Sequence, residues 1–91
     1  MEKAKAATIL GYVAANVRRL RLSRGLTQEA LAERAGVSTV HVQRVEAGGA
    51  NVSVTLLVAL ADALGVPPAQ LLKQAKIAER RPGRPKVKRA R

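Results

Sequence analysis

The sequence predicts an all-α domain of five short helices. Three observations carry this reading. Apolar residues recur at three- and four-residue steps, as Leu10, Val13, Val17 and Leu20 and again as Leu56, Leu57, Leu60 and Leu64. A hydroxyl residue with an apolar residue just before it and another four places after it occurs three times: Leu26-Thr27 with Leu31, Val37-Ser38 with Val42, and Val52-Ser53 with Leu57. That is the spacing of a helix cap with its hydrophobic staple. Gly25, Gly36 and Gly65 stand where one apolar pattern stops and the next begins.

Taken in order, residues 1–5 are charged and expected to fray. The first helix is read from Ala6 to Arg24. Gly11 weakens it and marks a break near its start, while Arg18, Arg19 and Arg21 lie mostly off the apolar stripe. Helix two runs from Gln28 to Ala35 with Leu31, Ala32 and Ala35 inward; Glu29 suits the positive end of its dipole. Gly36 turns the chain. Helix three follows from Thr39 to Ala47, anchored inward by Val42 and Val45, and then the loop Gly48-Gly49-Ala50-Asn51. Ser53 caps helix four, which Gly65 closes. Pro67-Pro68 opens a fifth helix, expected from Ala69 to Ala78, since proline is tolerated at a first helical position. Leu71 and Leu72 close the core, or one of them faces a partner. The organisation expected is therefore an extension over 1–12, helical in its second half and either flexible or pairing two subunits; a domain over 13–78; and a tail over 79–91.

Ninety-one residues suffice for one domain with one modest core. That core is aliphatic, because Tyr12 is the only aromatic residue, and without cysteine it has neither disulfide nor thiolate metal site. Seventeen Lys and Arg against six Asp and Glu give a net charge of +11. So much charge on so short a chain implies a polyanionic partner, nucleic acid before a membrane surface. No stretch is long or apolar enough to span a bilayer, and the N-terminus has no secretory pattern, so a cytoplasmic, nucleoid-associated protein is expected. The acids Glu2, Glu29, Glu33, Glu46, Asp62 and Glu79 are scattered and no nucleophile–base set exists. His41 stands alone, without the partners of a metal site or triad. Neither an enzyme nor a cofactor is expected.

Ala32, Gly36 and Val42 have the Ala-x3-Gly-x5-Val spacing of a helix-turn-helix, in which the residue at 32 must be small where the second helix crosses it. A plain helical hairpin with ordinary caps would explain the caps but not Gln28 and Glu46. The wider run Leu26-Thr27-Gln28, Leu31-Ala32, Gly36-Val37-Ser38, Val42, Arg44-Val45-Glu46 and Gly48, followed by Leu56-Leu57, Ala61 and Leu64-Gly65-Val66, resembles the lambda-repressor-like, Cro/C1-type (XRE) helix-turn-helix family. The resemblance implies a compact five-helix DNA-binding fold with helices two and three as the helix-turn-helix. It also implies a brace between Arg21 and Glu46, an acid thereby turned away from phosphates.

Once Val42 and Val45 are set inward, Val40, Gln43, Arg44 and Ala47 share one outer stripe of helix three, with Thr39 at its first turn. A helix entering the major groove by its N-terminus presents such side chains to base edges. Gln43 can pair bidentately with adenine, Arg44 can reach guanine O6 and N7 or a phosphate, and Val40 and the Thr39 methyl can meet thymine methyls. Thr39, Val40, Gln43 and Arg44 are the expected base contacts; a merely solvated face would leave a bare valine without purpose. Gln28, by resemblance, contacts a phosphate at the helix-two N-terminus, although spacing alone fits an ordinary first-turn residue. Ser38, Asn51, the amides of Gly49 and Ala50, and Arg18 are further phosphate candidates; Arg19 and Arg34 have no fixed direction. His41 is either packed or beside a phosphate, and in the second case mild acid tightens binding.

From Glu79 the chain has almost nothing to bury, and Pro82, Gly83 and Pro85 forbid a helix. Arg81, Gly83, Arg84, Pro85 and Lys86 are similar to an AT-hook, whose extended Arg-Pro segment fits the narrow A·T minor groove. Pro82 stands where the hook has an arginine, so a polybasic arm tracking phosphates competes with that reading. The function expected is a sequence-specific DNA-binding transcriptional regulator, a repressor or autoregulator, acting on double-stranded DNA as a homodimer. An architectural nucleoid-type protein and an antitoxin-like module with a protein partner are the alternatives.

Overall fold

The computed structural model describes residues 3–48 and 51–75. Within them the chain forms α1 (Lys3–Ser23), α2 (Gln28–Ala35), α3 (Thr39–Ala47), α4 (Val54–Leu64) and α5 (Pro68–Leu71), with no strand among the described residues. This is an all-α fold of five helices, as the sequence predicts. The tail residues Arg81, Gly83, Arg84, Pro85 and Lys86 lie outside the described residues, as do Gly49 and Ala50.

The caps follow the sequence. Thr27, Ser38 and Ser53 have extended backbones, and each side chain accepts from the N–H three residues on: Ala30, His41 and Leu56. Gly36 ends α2 in the left-handed region at φ 71°, where its N–H donates to the carbonyls of Ala32 and Glu33. A side chain there would meet nothing, so its cost would lie in the backbone alone.

The core is a single aliphatic cluster. Val13, Val17 and Leu20 of α1 meet Leu31 and Ala32 of α2, Val42 and Val45 of α3, Leu57, Leu60, Ala61 and Leu64 of α4, and Leu71. Leu56 and Ala35, expected inside, are only half-buried at its edge. Ala32 is buried beneath the crossing of α2 and α3, where a larger side chain would push the helices apart.

Three expectations need correction. The first helix begins at Lys3, not Ala6, and ends at Ser23, not Arg24. Lysine and alanine are good helix formers and nothing before Ala6 stops them, so the segment 1–12 is helical from Lys3 rather than only in its second half. Gly11 does not break the helix: one glycine costs about 1 kcal/mol, too little to interrupt a helix whose next turn carries Val13 into the core. Helix five is a single turn, Pro68–Leu71, and does not run to Ala78. Leu71 is fully buried, whereas Leu72, Lys73 and Gln74 are exposed, so continuing the helix would bury nothing.

The reason α5 stops there lies on α1. Asn16 is buried, and its Nδ2 donates to the carbonyls of Leu71 (3.0 Å) and Lys73 (2.9 Å), while its Oδ1 accepts from Arg19 Nη2 (3.2 Å). Both amide hydrogens are therefore spent on α5 and the residues after it. Replacing Asn16 with alanine is expected to lower unfolding free energy by about 1–3 kcal/mol, by stranding these carbonyls. Asn16→Asp should lower it further, because an acceptor would then face two acceptors. Urea midpoints for the two variants check this order.

Candidate nucleic-acid interface

Sequence periodicity sets the outward face of α3 and burial fixes it. Val42, Val45 and Glu46 are buried, while Val40, Gln43, Arg44 and Ala47 are exposed and Thr39 is half-buried. Val40 is 50% exposed. The four residues expected to meet bases thus share one surface, with Val40 near its middle. Thr39 and Gln43 lie on the edge next to Glu46, as their spacing along the helix requires. Arg44 lies on the other edge, where it lines an open groove of about 830 Å³ together with His41, Asn51 and Thr55, over a floor that includes Val37 and Leu56.

A hub beneath α3 positions this face. Arg21 Nε donates to Glu46 Oε2 (2.6 Å), and its Nη2 to Glu46 Oε1 (3.1 Å), a bidentate pair with both side chains at least nine-tenths buried. Arg21 Nη1 donates to the Leu26 carbonyl (2.8 Å), and Gln28 Nε2 donates to Glu46 Oε1 (3.0 Å). One carboxylate on α3 therefore holds the end of α1 and the start of α2. The pairing of Gln28 with Glu46 was not legible in the sequence, where Gln28 reads as a phosphate ligand. Its amide nitrogen keeps a second hydrogen, and the N–H groups of Gln28 and Glu29 at the start of α2 have no partner within the helix.

The remaining expected contacts are placed as follows. Asn51 is exposed at the rim of the groove beside α3. Ser38 Oγ is committed to the α3 cap, while the Thr39 and Val40 N–H groups have no partner within the helix. Arg18 is exposed and makes no hydrogen bond among the described residues; Arg19 is turned to Asn16, and Arg34 is exposed on α2. Arg24, not singled out from sequence, donates from Nε to the Leu64 carbonyl (2.7 Å) and so caps the end of α4. His41 is exposed on α3, not packed into the core, with Nδ1 3.3 Å from Ser38 Oγ. Among the described residues no cluster of His, Cys, Asp and Glu could hold a metal ion, and no helix is long and apolar enough to cross a membrane.

Two adjoining helices with a left-handed glycine between them, and an exposed polar face on the second, make a helix-turn-helix. The helix-turn-helix family HTH_3 matches residues 17–71. The chain belongs to this family. HTH_3 domains of the Cro/C1 type are DNA-binding and non-enzymatic. The chain is 42% identical over 60 residues to the HTH-type transcriptional regulator y4dJ of Sinorhizobium fredii, covering 66% of this chain and 78% of that protein. It is also 42% identical over 55 residues to the propionyl-CoA carboxylase regulator of Cereibacter sphaeroides, of which it spans 12% of the length. Among solved structures, a hypothetical transcription factor NHTF from Neisseria superposes with a TM-score of 0.71 at 33% identity, covering 72% of this chain and 76% of that one. The restriction-modification controller protein C.AhdI from Aeromonas hydrophila superposes with a TM-score of 0.66 at 39% identity, covering 68% and 94%. The HTH_3 match begins at residue 17, so the first fourteen residues of α1, 3–16, precede it.

Proposed function

We propose that this HTH_3 chain is a sequence-specific transcriptional regulator, a repressor or autoregulator, that reads the major groove with α3. The observation that carries the reading is the outward face itself: Val40, Gln43 and Arg44 are exposed together on a helix whose opposite side is locked into the core. Thr39 at the first turn completes the base-reading set. An aliphatic residue flanked by two long hydrogen-bonding side chains fits a row of base edges and thymine methyls. Gln28 with the open N–H groups of α2 on one side, and Asn51 on the other, suit the two phosphate backbones that wall the groove. Arg18 adds a cation from α1. The brace Arg21–Glu46 sets the angle of α3 and keeps its acid away from the phosphates.

One reading helix spans few base pairs, so the active form is a homodimer on an inverted repeat. Val54 and Val58, exposed one turn apart on α4, offer apolar surface for a second copy. Likeness to the restriction-modification controller protein C.AhdI, 94% of which is covered, supports a regulator. The net charge of +11 favours a second reading, an architectural protein with little sequence choice. Selection of bound duplexes from a random pool separates the two. A shared motif bound well over about tenfold tighter than random duplex supports the regulator, and a ratio below that supports the architectural protein.

The basic tail, with Arg81, Gly83, Arg84, Pro85 and Lys86, adds minor-groove or phosphate contacts. Removal of residues 79–91 should make log Kd less steep against log salt by several units, since each phosphate contact contributes about 0.9. An unchanged slope in a salt titration would place the tail off the DNA.

A further inference from the structure

His41 is the exposed polar α3 side chain that the readout above leaves unused. Its backbone N–H donates to Ser38 Oγ (3.2 Å), and its ring Nδ1 lies 3.3 Å from that same oxygen. A serine hydroxyl has one hydrogen and two lone pairs. With one lone pair taken by the backbone N–H, Oγ meets the ring either with its hydrogen, which makes Nδ1 the acceptor, or with its second lone pair. In the first arrangement the neutral imidazole carries its hydrogen on Nε2, the nitrogen with no protein partner among the described residues. The residue is exposed, lies in the first turn of α3 and shares the groove wall with Arg44, one helical turn further on. In that arrangement the helix cap also sets the tautomer and leaves Nε2–H as a donor beside Arg44.

We propose that His41 is a fifth base-reading residue, held by the Ser38 hydroxyl so that Nε2–H donates to an acceptor on a base edge. Guanine N7 or O6, thymine O4 and adenine N7 accept from such a donor, whereas the cytosine amino group does not. The inference rests on major-groove reading by α3. Ser38 is a positioning residue: it does not touch the base but decides which ring nitrogen bears the hydrogen.

The test is a selection of bound duplexes from a random pool with the full chain and with His41→Ala, together with salt titrations of both. The expected result is a motif in which one position disfavours cytosine by about fivefold or more. In His41→Ala that position becomes degenerate, the rest of the motif stands, and the salt slope is unchanged. An unchanged motif overturns the proposal. So does uniform weakening with a slope reduced by about one unit, the mark of a phosphate contact. A full chain that selects no motif at all overturns the base-reading function itself, and is recognised before any variant is compared. Ser38→Thr, which keeps the hydroxyl and the cap, should preserve the preference, while Ser38→Ala should weaken it at that position alone; loss at every position means that only the cap mattered. Imidazole nitrogen shifts of the free protein are expected to show Nδ1 as the bare nitrogen, and the opposite assignment removes the part given to Ser38.

Discussion

A chain carrying Gln43→Ala and Arg44→Ala is expected to fold normally and lose its preference for its target. Each bidentate side-chain-to-base pair discriminates by about 1–3 kcal/mol, so losing two weakens specific binding by roughly 30-fold to 10⁴-fold if the sites act independently. Binding to random duplex should fall far less, because it rests on the general positive charge. Both residues are exposed and hold no described hydrogen bond, so nothing in the core depends on them, and alanine is a better helix former than either. Competition assays against random duplex measure the loss, and thermal melts confirm that the fold survives. If target preference persisted in a folded variant, Gln43 and Arg44 would not be the residues that read the bases.

The second large effect is on stability. Arg21→Ala is expected to lower unfolding free energy by about 3–5 kcal/mol, because it strands a buried carboxylate. Glu46 would keep only the Gln28 amide, and the Leu26 carbonyl would lose the Arg21 hydrogen bond. Against the 5–15 kcal/mol typical of a whole domain, such a loss brings the chain near unfolding. Replacing both partners together, as Arg21→Met with Glu46→Leu, should restore most of the loss, since an apolar pair leaves no unpaired charge. The paired variant is nonetheless expected to bind its target more weakly, because the fork that fixes α3 against α1 and α2 is gone. Urea denaturation gives the first quantity and a binding titration the second.

What the sequence makes legible is what short-range chemistry decides. Thr27, Ser38 and Ser53 could be read as caps because a cap needs only its own hydroxyl and an N–H three residues away. The outer face of α3 follows from helical period once Val42 and Val45 are set inward. What stayed hidden depends on tertiary geometry. Nothing near Asn16 in the chain announces that its partners are 55 and 57 residues away, and nothing near Arg24 points to a carbonyl 40 residues on. Gln28 looked like a free polar residue because its partner, Glu46, becomes a neighbour only after α2 and α3 pack. The overlong fifth helix has the same origin: local propensity allowed more turns, and burial ended them at Leu71.

The hydrogen bonds from Asn16 to Leu71 and Lys73 also set a schedule for synthesis. A chain grows from its N-terminus at about 5–20 residues per second, so Val13, Val17 and the Asn16 amide leave the ribosome seconds before their last partners exist. Until Leu71 and Lys73 emerge, the apolar side of α1 can be only partly covered and its amide must bond to water. Helix α3 is translated early, yet the final closure of the domain around it waits for a single turn near residue 70.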